Sequence, residues 1–123
     1  MACILFVDDD LDTLRLMNTA VVMFGHHALT ATSGQEGIRM AAEEAPDLIM
    51  MDMLMYDFDG ISIIRCLKSN PMLASIPIVM VSASGETDLA EKARAAGAKG
   101  YLQKPVDLRK LQETIQKNTN GKK

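Results

Sequence analysis

Five side chains of types used in metal and phosphoryl chemistry stand at the ends of short apolar runs in this sequence. Asp8 and Asp9 follow the run "CILFV", and Asp52 follows "LIMM". Ser82 closes the run "IPIVMV", and Lys104 follows "GYLQ". Carboxylate oxygens are ligands for Mg²⁺, whereas an ammonium and a hydroxyl can both donate to phosphate oxygens. Together these residue types are suited to phosphoryl transfer, in which an aspartate can act as the nucleophile.

Each of these residues also has an ordinary structural explanation when it is taken alone. Acidic residues are common at helix N-termini, and a serine or lysine after a strand is usually part of a solvated turn. Asp52 is the harder case, because a carboxylate buried in an apolar run loses its hydration unless partners compensate it. The five residues therefore point to a site only if the fold brings them together.

The alternation of short apolar runs with amphipathic segments predicts that fold. Strands are expected over residues 3–8, 28–32, 47–52, 76–83 and 99–104, with a helix after each. Ser33 and Glu36 have the spacing of a capping box at the second helix, and Asp107 is the expected N-cap of the last. Five strand–helix units in strict alternation predict an α/β fold, a doubly wound five-stranded parallel sheet with five helices on its two faces.

This topology would collect the polar residues at one edge of the sheet. Ligands of open α/β sheets bind at the carboxyl ends of the strands, where the strand order reverses. In the flavodoxin-like order 2-1-3-4-5 that point lies between strands one and three, so Asp8, Asp9 and Asp52 should converge. Repulsion among three carboxylates favours a bound divalent cation, and a ligand set of oxygens alone favours Mg²⁺ over zinc. The sequence has no P-loop and no GxGxxG motif, so we expect the phosphoryl donor to be another protein or a small phospho-compound.

Length and composition restrict the class of protein. The chain has 123 residues, of which 48% are apolar and 24% charged, and its formal net charge is −3. This charge argues against direct nucleic-acid binding, and no apolar run approaches the roughly 20 residues of a membrane span. Neither a signal peptide nor membrane insertion is expected, so the predicted location is cytoplasmic. We expect one domain over residues 1–118, a polar tail or linker stub over 119–123, and two reduced core cysteines, Cys3 and Cys66.

The sequence resembles the receiver domain of two-component response regulators over nearly its whole length. "ILFVDDD" is similar to the acidic segment of that family, and "DLIMMDMLMYDFDG" to its phospho-acceptor segment. "PIVMVSAS" and "GAKGYLQKP" are similar to the motifs of its fourth and fifth strands. The resemblance implies that Asp52 accepts a phosphoryl group from a histidine kinase or a histidine phosphotransfer protein.

The resemblance also implies a set of metal ligands. Asp9, Asp52 and the backbone carbonyl of Leu54 would bind Mg²⁺ directly, and Asp8 would act through water. The reaction would be self-catalysed phosphorylation and dephosphorylation of the chain itself, so the protein is expected to be a phospho-acceptor switch and not an enzyme.

A conformational switch is the last feature that the resemblance implies. Ser82 and Lys104 would contact the phosphoryl oxygens, and movement of Ser82 would be coupled to an inward turn of Tyr101. This would remodel the face formed by the fourth helix, fifth strand and fifth helix, where a downstream effector protein or domain would bind. The output would pass through such a partner, or through the remainder of a longer chain. Members of the family also usually have a cis peptide at the position of Lys104–Pro105.

Leu54 and Tyr56, which follow Asp52, depart from the pattern of the family. Tyr56 stands where the family usually has proline, and Leu54 is apolar where polar residues are common. If Leu54 restricts the access of water, Leu54→Asn should dephosphorylate faster than the native chain. Timed intact-mass measurement after removal of the phosphoryl donor would test this, and equal lifetimes would contradict it.

Three other interpretations compete with this one. A haloacid-dehalogenase-like phosphatase needs a DxDx[TV] nucleophile motif after strand one, whereas the segment here is "DDDLDT". A flavin-binding module needs a loop rich in Ser, Thr and Gly, and these acids would repel the flavin phosphate. A protein-interaction domain of the same fold that works without phosphorylation stays open.

Overall fold

The computed structural model describes residues 2–52, 60–83 and 87–119, which form five strands alternating with five helices. The strands are β1 (Cys3–Val7), β2 (His27–Ala31), β3 (Leu48–Asp52), β4 (Ile78–Ser82) and β5 (Gly100–Gln103). The helices are α1 (Leu11–Met23), α2 (Gly34–Glu44), α3 (Gly60–Ser69), α4 (Thr87–Ala96) and α5 (Leu108–Thr119). The strands are parallel in the order β2-β1-β3-β4-β5, which confirms the predicted fold.

The three central strands of the sheet, β1, β3 and β4, are buried on both faces, as their continuous apolar sequences require. Successive residues of a strand point to opposite faces, so Leu5 and Val7 of β1 join one core cluster and Ile4 and Phe6 join the other. The first cluster is closed by buried residues of α2, α3 and α4, and the second by those of α1 and α5. No helix among the described residues is long and apolar enough to cross a membrane.

Side-chain caps fix where the helices begin. The Ser33 side chain accepts a hydrogen bond from the Glu36 N–H at 3.1 Å, and Glu36 Oε1 accepts one from the Thr32 N–H at 2.8 Å. The Ser33–Glu36 bond confirms the predicted cap of α2, and Glu36 returns a bond to the residue just before the N-cap, in the manner of a capping box. At α5, Asp107 Oδ1 accepts from the Arg109 N–H at 2.8 Å, so Asp107 is the N-cap that the sequence predicts.

The structure corrects two details of the sequence analysis. Strands β1, β2, β4 and β5 each end one residue earlier than predicted, so Asp8 and Lys104 follow their strands as loop residues. The expectation that both cysteines are core residues is wrong, because Cys3 is half-buried and Cys66 is exposed. Cys66 lies on the solvent side of α3, whose buried side chains are Ile63, Ile64 and Leu67, and Cys3 is the first residue of its strand.

Helix α2 approaches β1 closely at a glycine, which yields a stability prediction. A Cβ on Gly37 would lie 2.8 Å from Cγ2 and 3.0 Å from Cγ1 of Val7, a stiff and buried side chain. Gly37→Ala should therefore destabilise the fold by about 1–2 kcal/mol, because the overlap outweighs the better helix propensity of alanine. Urea unfolding measures this, with Gln35→Ala on the exposed side of α2 as the control. The loss should shrink in a Val7→Ala background, and a Gly37→Ala chain as stable as the native one would contradict the prediction.

Candidate functional site

The carboxyl ends of β1 and β3 bring three aspartates together. Asp8 and Asp9 follow the last residue of β1, and Asp52 is the last residue of the neighbouring strand β3. One carboxylate oxygen from each of the three lies within 4.8 Å of the others. Asp8 is 4% exposed and Asp52 9%, whereas Asp9 is exposed. The predicted convergence of these carboxylates is therefore present, in a pocket that opens to solvent at Asp9.

Lys104 reaches the same pocket from β5. Its backbone N–H donates to the Ser82 carbonyl at 2.7 Å, which joins the end of β5 to the end of β4. Its Nζ donates to Asp8 Oδ2 at 2.8 Å and lies 3.6 Å from Asp52 Oδ2. The ammonium is thus held between the two buried carboxylates, and its shorter contact is to Asp8.

The pKa of Lys104 follows from this position. Burial alone would lower its pKa, but the hydrogen bond to Asp8 and the charges of Asp52 and Asp8 outweigh burial. The pKa of Lys104 is therefore raised, and the ammonium is the stable form throughout the neutral range.

The two residues predicted to form the switch lie on neighbouring strands. Ser82 ends β4 at the same edge as the aspartates and is 2% exposed. Tyr101 lies in β5 opposite Met80 and packs, half-buried, against the core cluster on the side of α2, α3 and α4. The peptide between Lys104 and Pro105 is cis, as the resemblance implied. Leu54, a predicted metal ligand through its carbonyl, lies outside the described residues, as does Tyr56.

The sequence analysis did not single out Asp10, which contacts the site through its backbone. Its N–H donates to Asp8 Oδ1 at 2.9 Å, while its own carboxylate caps α1. Hydrogen bonds from the Thr13 hydroxyl and then from the Asp12 N–H lower the pKa of Asp10. Its N-cap position before Thr13 was the feature of the sequence that could have identified this role.

The donor set and the charge of the pocket fit Mg²⁺. The formal charges of the three carboxylates and the one ammonium sum to −2, which one divalent cation would balance. All three acidic ligands are oxygen donors, which Mg²⁺ prefers, and no His or Cys belongs to the group found among the described residues. Asp8, Asp9 and Asp52 are therefore suitable residues to hold this ion.

Comparison with known proteins gives a consistent result over nearly the whole chain. The family description "Response regulator receiver domain" matches residues 4–116. Protein PilH from Pseudomonas aeruginosa is 32% identical, covering 94% of this chain and 95% of its own length. Transcriptional regulatory protein ZraR from Salmonella typhimurium is 35% identical over 93% of this chain, which spans only 25% of the length of ZraR.

Solved structures show the same arrangement of the backbone. Chemotaxis protein CheY4 from Vibrio cholerae has a TM-score of 0.90 at 26% identity, covering 95% of this chain and 98% of its own. A response regulator receiver domain protein from Clostridium thermocellum has a TM-score of 0.91 at 31% identity, covering 99% of this chain and 97% of its own. The similarity therefore extends across every strand that contributes to the acidic pocket.

Proposed function

This chain belongs to the response regulator receiver domain family of two-component signalling, and from that membership we propose that Asp52 accepts a phosphoryl group from a phosphohistidine partner. The partner would be a histidine kinase or a histidine phosphotransfer protein. One observation carries the proposal, namely that the Asp52 carboxylate lies within 4.8 Å of those of Asp8 and Asp9, beside the Lys104 ammonium. A nucleophile, a metal-binding set and a cation for phosphate are thereby brought into one pocket.

The proposed reaction is a direct transfer between side chains. An oxygen of the Asp52 carboxylate attacks phosphorus, so that an O–P bond forms while the P–N bond of the phosphohistidine breaks. The electron pair of that bond leaves with the imidazole, which then takes up a proton from solvent. Lys104 and Ser82 donate to the phosphoryl oxygens, and the rigid strand β3 holds the nucleophile in place.

Asp8, Asp9 and Asp52 would hold Mg²⁺, and the Leu54 carbonyl stays a further predicted ligand. When bound, the ion supplies positive charge against the oxygens of the phosphoryl group. Without such charge, three carboxylates would repel the incoming phosphoryl group, and Lys104 alone offsets only part of this repulsion. The chemistry therefore depends on the acidic residues being held close enough to share one cation.

The consequence of phosphorylation would be a shift between two conformations. Receiver domains generally act as signalling switches, and in this chain the proposed switch couples Ser82 to Tyr101 and to the face of α4, β5 and α5. The phosphoryl group stabilises whichever arrangement its ligands prefer, and an effector protein or domain would read that face. The chain spans a quarter of the length of ZraR. We place the switch in the cytoplasm, without membrane insertion or direct nucleic-acid binding.

The phosphatase alternative fits the site less well. Its nucleophile would need a DxDx[TV] motif after β1, but Asp12 stands where that motif has Thr or Val, and the carboxylate of Asp10, the second acid of the motif, caps α1. An interaction domain that works without phosphorylation would need no acidic pocket. The following experiment distinguishes this alternative from the proposed phospho-acceptor function.

Incubation of the full chain with acetyl phosphate and Mg²⁺, followed by intact-mass measurement, tests the proposal. We expect one added phosphoryl group, whose incorporation stops when a chelator removes the metal. The same reaction with a phosphorylated histidine phosphotransfer protein would test the physiological class of donor. A native chain that gains no mass from either donor would refute the proposed function and favour the interaction domain.

A further inference from the structure

Asp10 is the third consecutive aspartate after β1, but its carboxylate is used differently from those of Asp8 and Asp9. Its Oδ1 accepts from the Asp12 N–H at 3.1 Å, and its Oδ2 accepts from the Thr13 hydroxyl at 2.9 Å. Its backbone is extended, with φ −91° and ψ 109°, as expected of an N-cap residue. Both carboxylate oxygens therefore serve the first turn of α1.

The backbone of the same residue contacts the acidic pocket. The Asp10 N–H donates to Asp8 Oδ1 at 2.9 Å, while Asp8 Oδ2 accepts from Lys104 Nζ at 2.8 Å. The orientation of the Asp8 carboxylate is thus set by two donors, one on each oxygen. The position of the first donor depends on the backbone conformation of Asp10, which the cap holds.

The segment from Asp8 to Asp10 is consequently fastened at both ends. At its start, the Asp8 N–H donates to the Ala31 carbonyl of β2 at 3.0 Å. At its end, the Asp10 cap joins it to α1. Asp9, the exposed member of the acidic group, lies between these two attachments. Its backbone therefore has little freedom although its side chain faces solvent.

We infer that Asp10 is a positioning residue for the Mg²⁺ site, an inference that rests on the proposed function. By capping α1 and holding its N–H against Asp8, it keeps Asp8 and Asp9 in a geometry that is ready for the ion. Without the cap, ion binding must also order this segment, which costs conformational entropy. Residues that orient metal ligands typically contribute 10-fold or more to metal affinity, so Asp10→Ala should weaken Mg²⁺ binding by about 10-fold.

Asp10→Ser distinguishes positioning through the helix cap from electrostatic attraction between the Asp10 carboxylate and Mg²⁺. Serine is a good N-cap and has no charge, so it should keep Mg²⁺ affinity close to that of the native chain. Thr13→Val keeps all the carboxylates and removes only the hydroxyl bonded to Asp10, so we expect a smaller loss than for Asp10→Ala. Ser33→Ala is the matched control, because it removes the N-cap of α2 while leaving the segment from Asp8 to Asp10 unchanged.

Calorimetric titration of the full chain with Mg²⁺ at fixed ionic strength tests the inference, with urea unfolding to verify that each variant is folded. The expected order of affinity is native and Ser33→Ala highest, Asp10→Ser and Thr13→Val slightly lower, and Asp10→Ala lowest. If Asp10→Ala bound Mg²⁺ as tightly as the native chain, the inference would be wrong. It would also be wrong if Asp10→Ser were as weak as Asp10→Ala, because charge would then explain the loss. A native chain that binds no Mg²⁺ would overturn both the proposed site and this inference. Native affinity in Asp10→Ala, or equally weak binding by Asp10→Ser, would overturn only the inference and leave the proposed function intact.

Discussion

Asp52→Asn is expected to abolish phosphoryl incorporation from acetyl phosphate while leaving the protein folded. The Asp52 carboxylate is the proposed nucleophile, and an amide oxygen at the same place cannot form a stable acyl phosphate. The change also removes one of three converging negative charges, so the free energy of unfolding should stay equal or rise. Intact mass after incubation with donor and Mg²⁺, together with urea unfolding, measures both effects.

Asp47→Asn is the control for that substitution. Asp47 precedes β3 at the opposite edge of the sheet, where its Oδ2 accepts from the Cys3 N–H at 2.8 Å. Asparagine can still accept this bond, so we expect native phosphoryl uptake. Uptake by Asp52→Asn at the native rate would show that the nucleophile is another residue, which peptide mapping of the phosphorylated chain would then locate.

Lys104→Met is expected to produce the largest loss of stability among these variants. It leaves Asp8, which is 4% exposed, without the ammonium that contacts it at 2.8 Å, and leaves three carboxylates to repel one another. Removal of one partner of a buried ion pair typically costs about 3–5 kcal/mol. The Lys104 side chain is 21% exposed, so in the variant water can partly solvate the carboxylates that the ammonium contacted. We therefore expect a loss of about 2–3 kcal/mol in urea unfolding without divalent cations.

Two further measurements identify the cause of that loss. Mg²⁺ should reduce the difference between Lys104→Met and the native chain, because a bound cation neutralises the same carboxylates. The pKa of Lys104 is raised in the folded chain, so its stabilisation is complete at neutral pH and is lost only as the pH rises through that raised pKa. Lys92→Met, on the exposed surface of α4, should change little. If Mg²⁺ leaves the difference in unfolding free energy between Lys104→Met and the native chain unchanged, the loss of stability comes from lost packing and not from the lost charge.

The fold and the residues that form the acidic pocket could both be predicted from the sequence. Short continuous apolar runs such as "LIMM" are typical of strands covered on both faces, and their alternation with amphipathic helices favours a parallel sheet. In a parallel sheet the residues that end the strands share one edge, and the strand order 2-1-3-4-5 predicts that Asp8, Asp52, Ser82 and Lys104 gather around its centre. These conclusions depend on periodicity and chain order, which are properties of the sequence itself.

The contacts within the pocket were decided only by the tertiary structure. Lys104 lies 96 residues beyond Asp8 and pairs with it more closely than with Asp52, a preference that depends on how β5 packs beside β4. The close approach of Gly37 to Val7 likewise depends on distances that must be known to within an ångström. Composition and spacing along the chain cannot specify such distances, because they arise from the simultaneous packing of strands and helices that are remote in sequence.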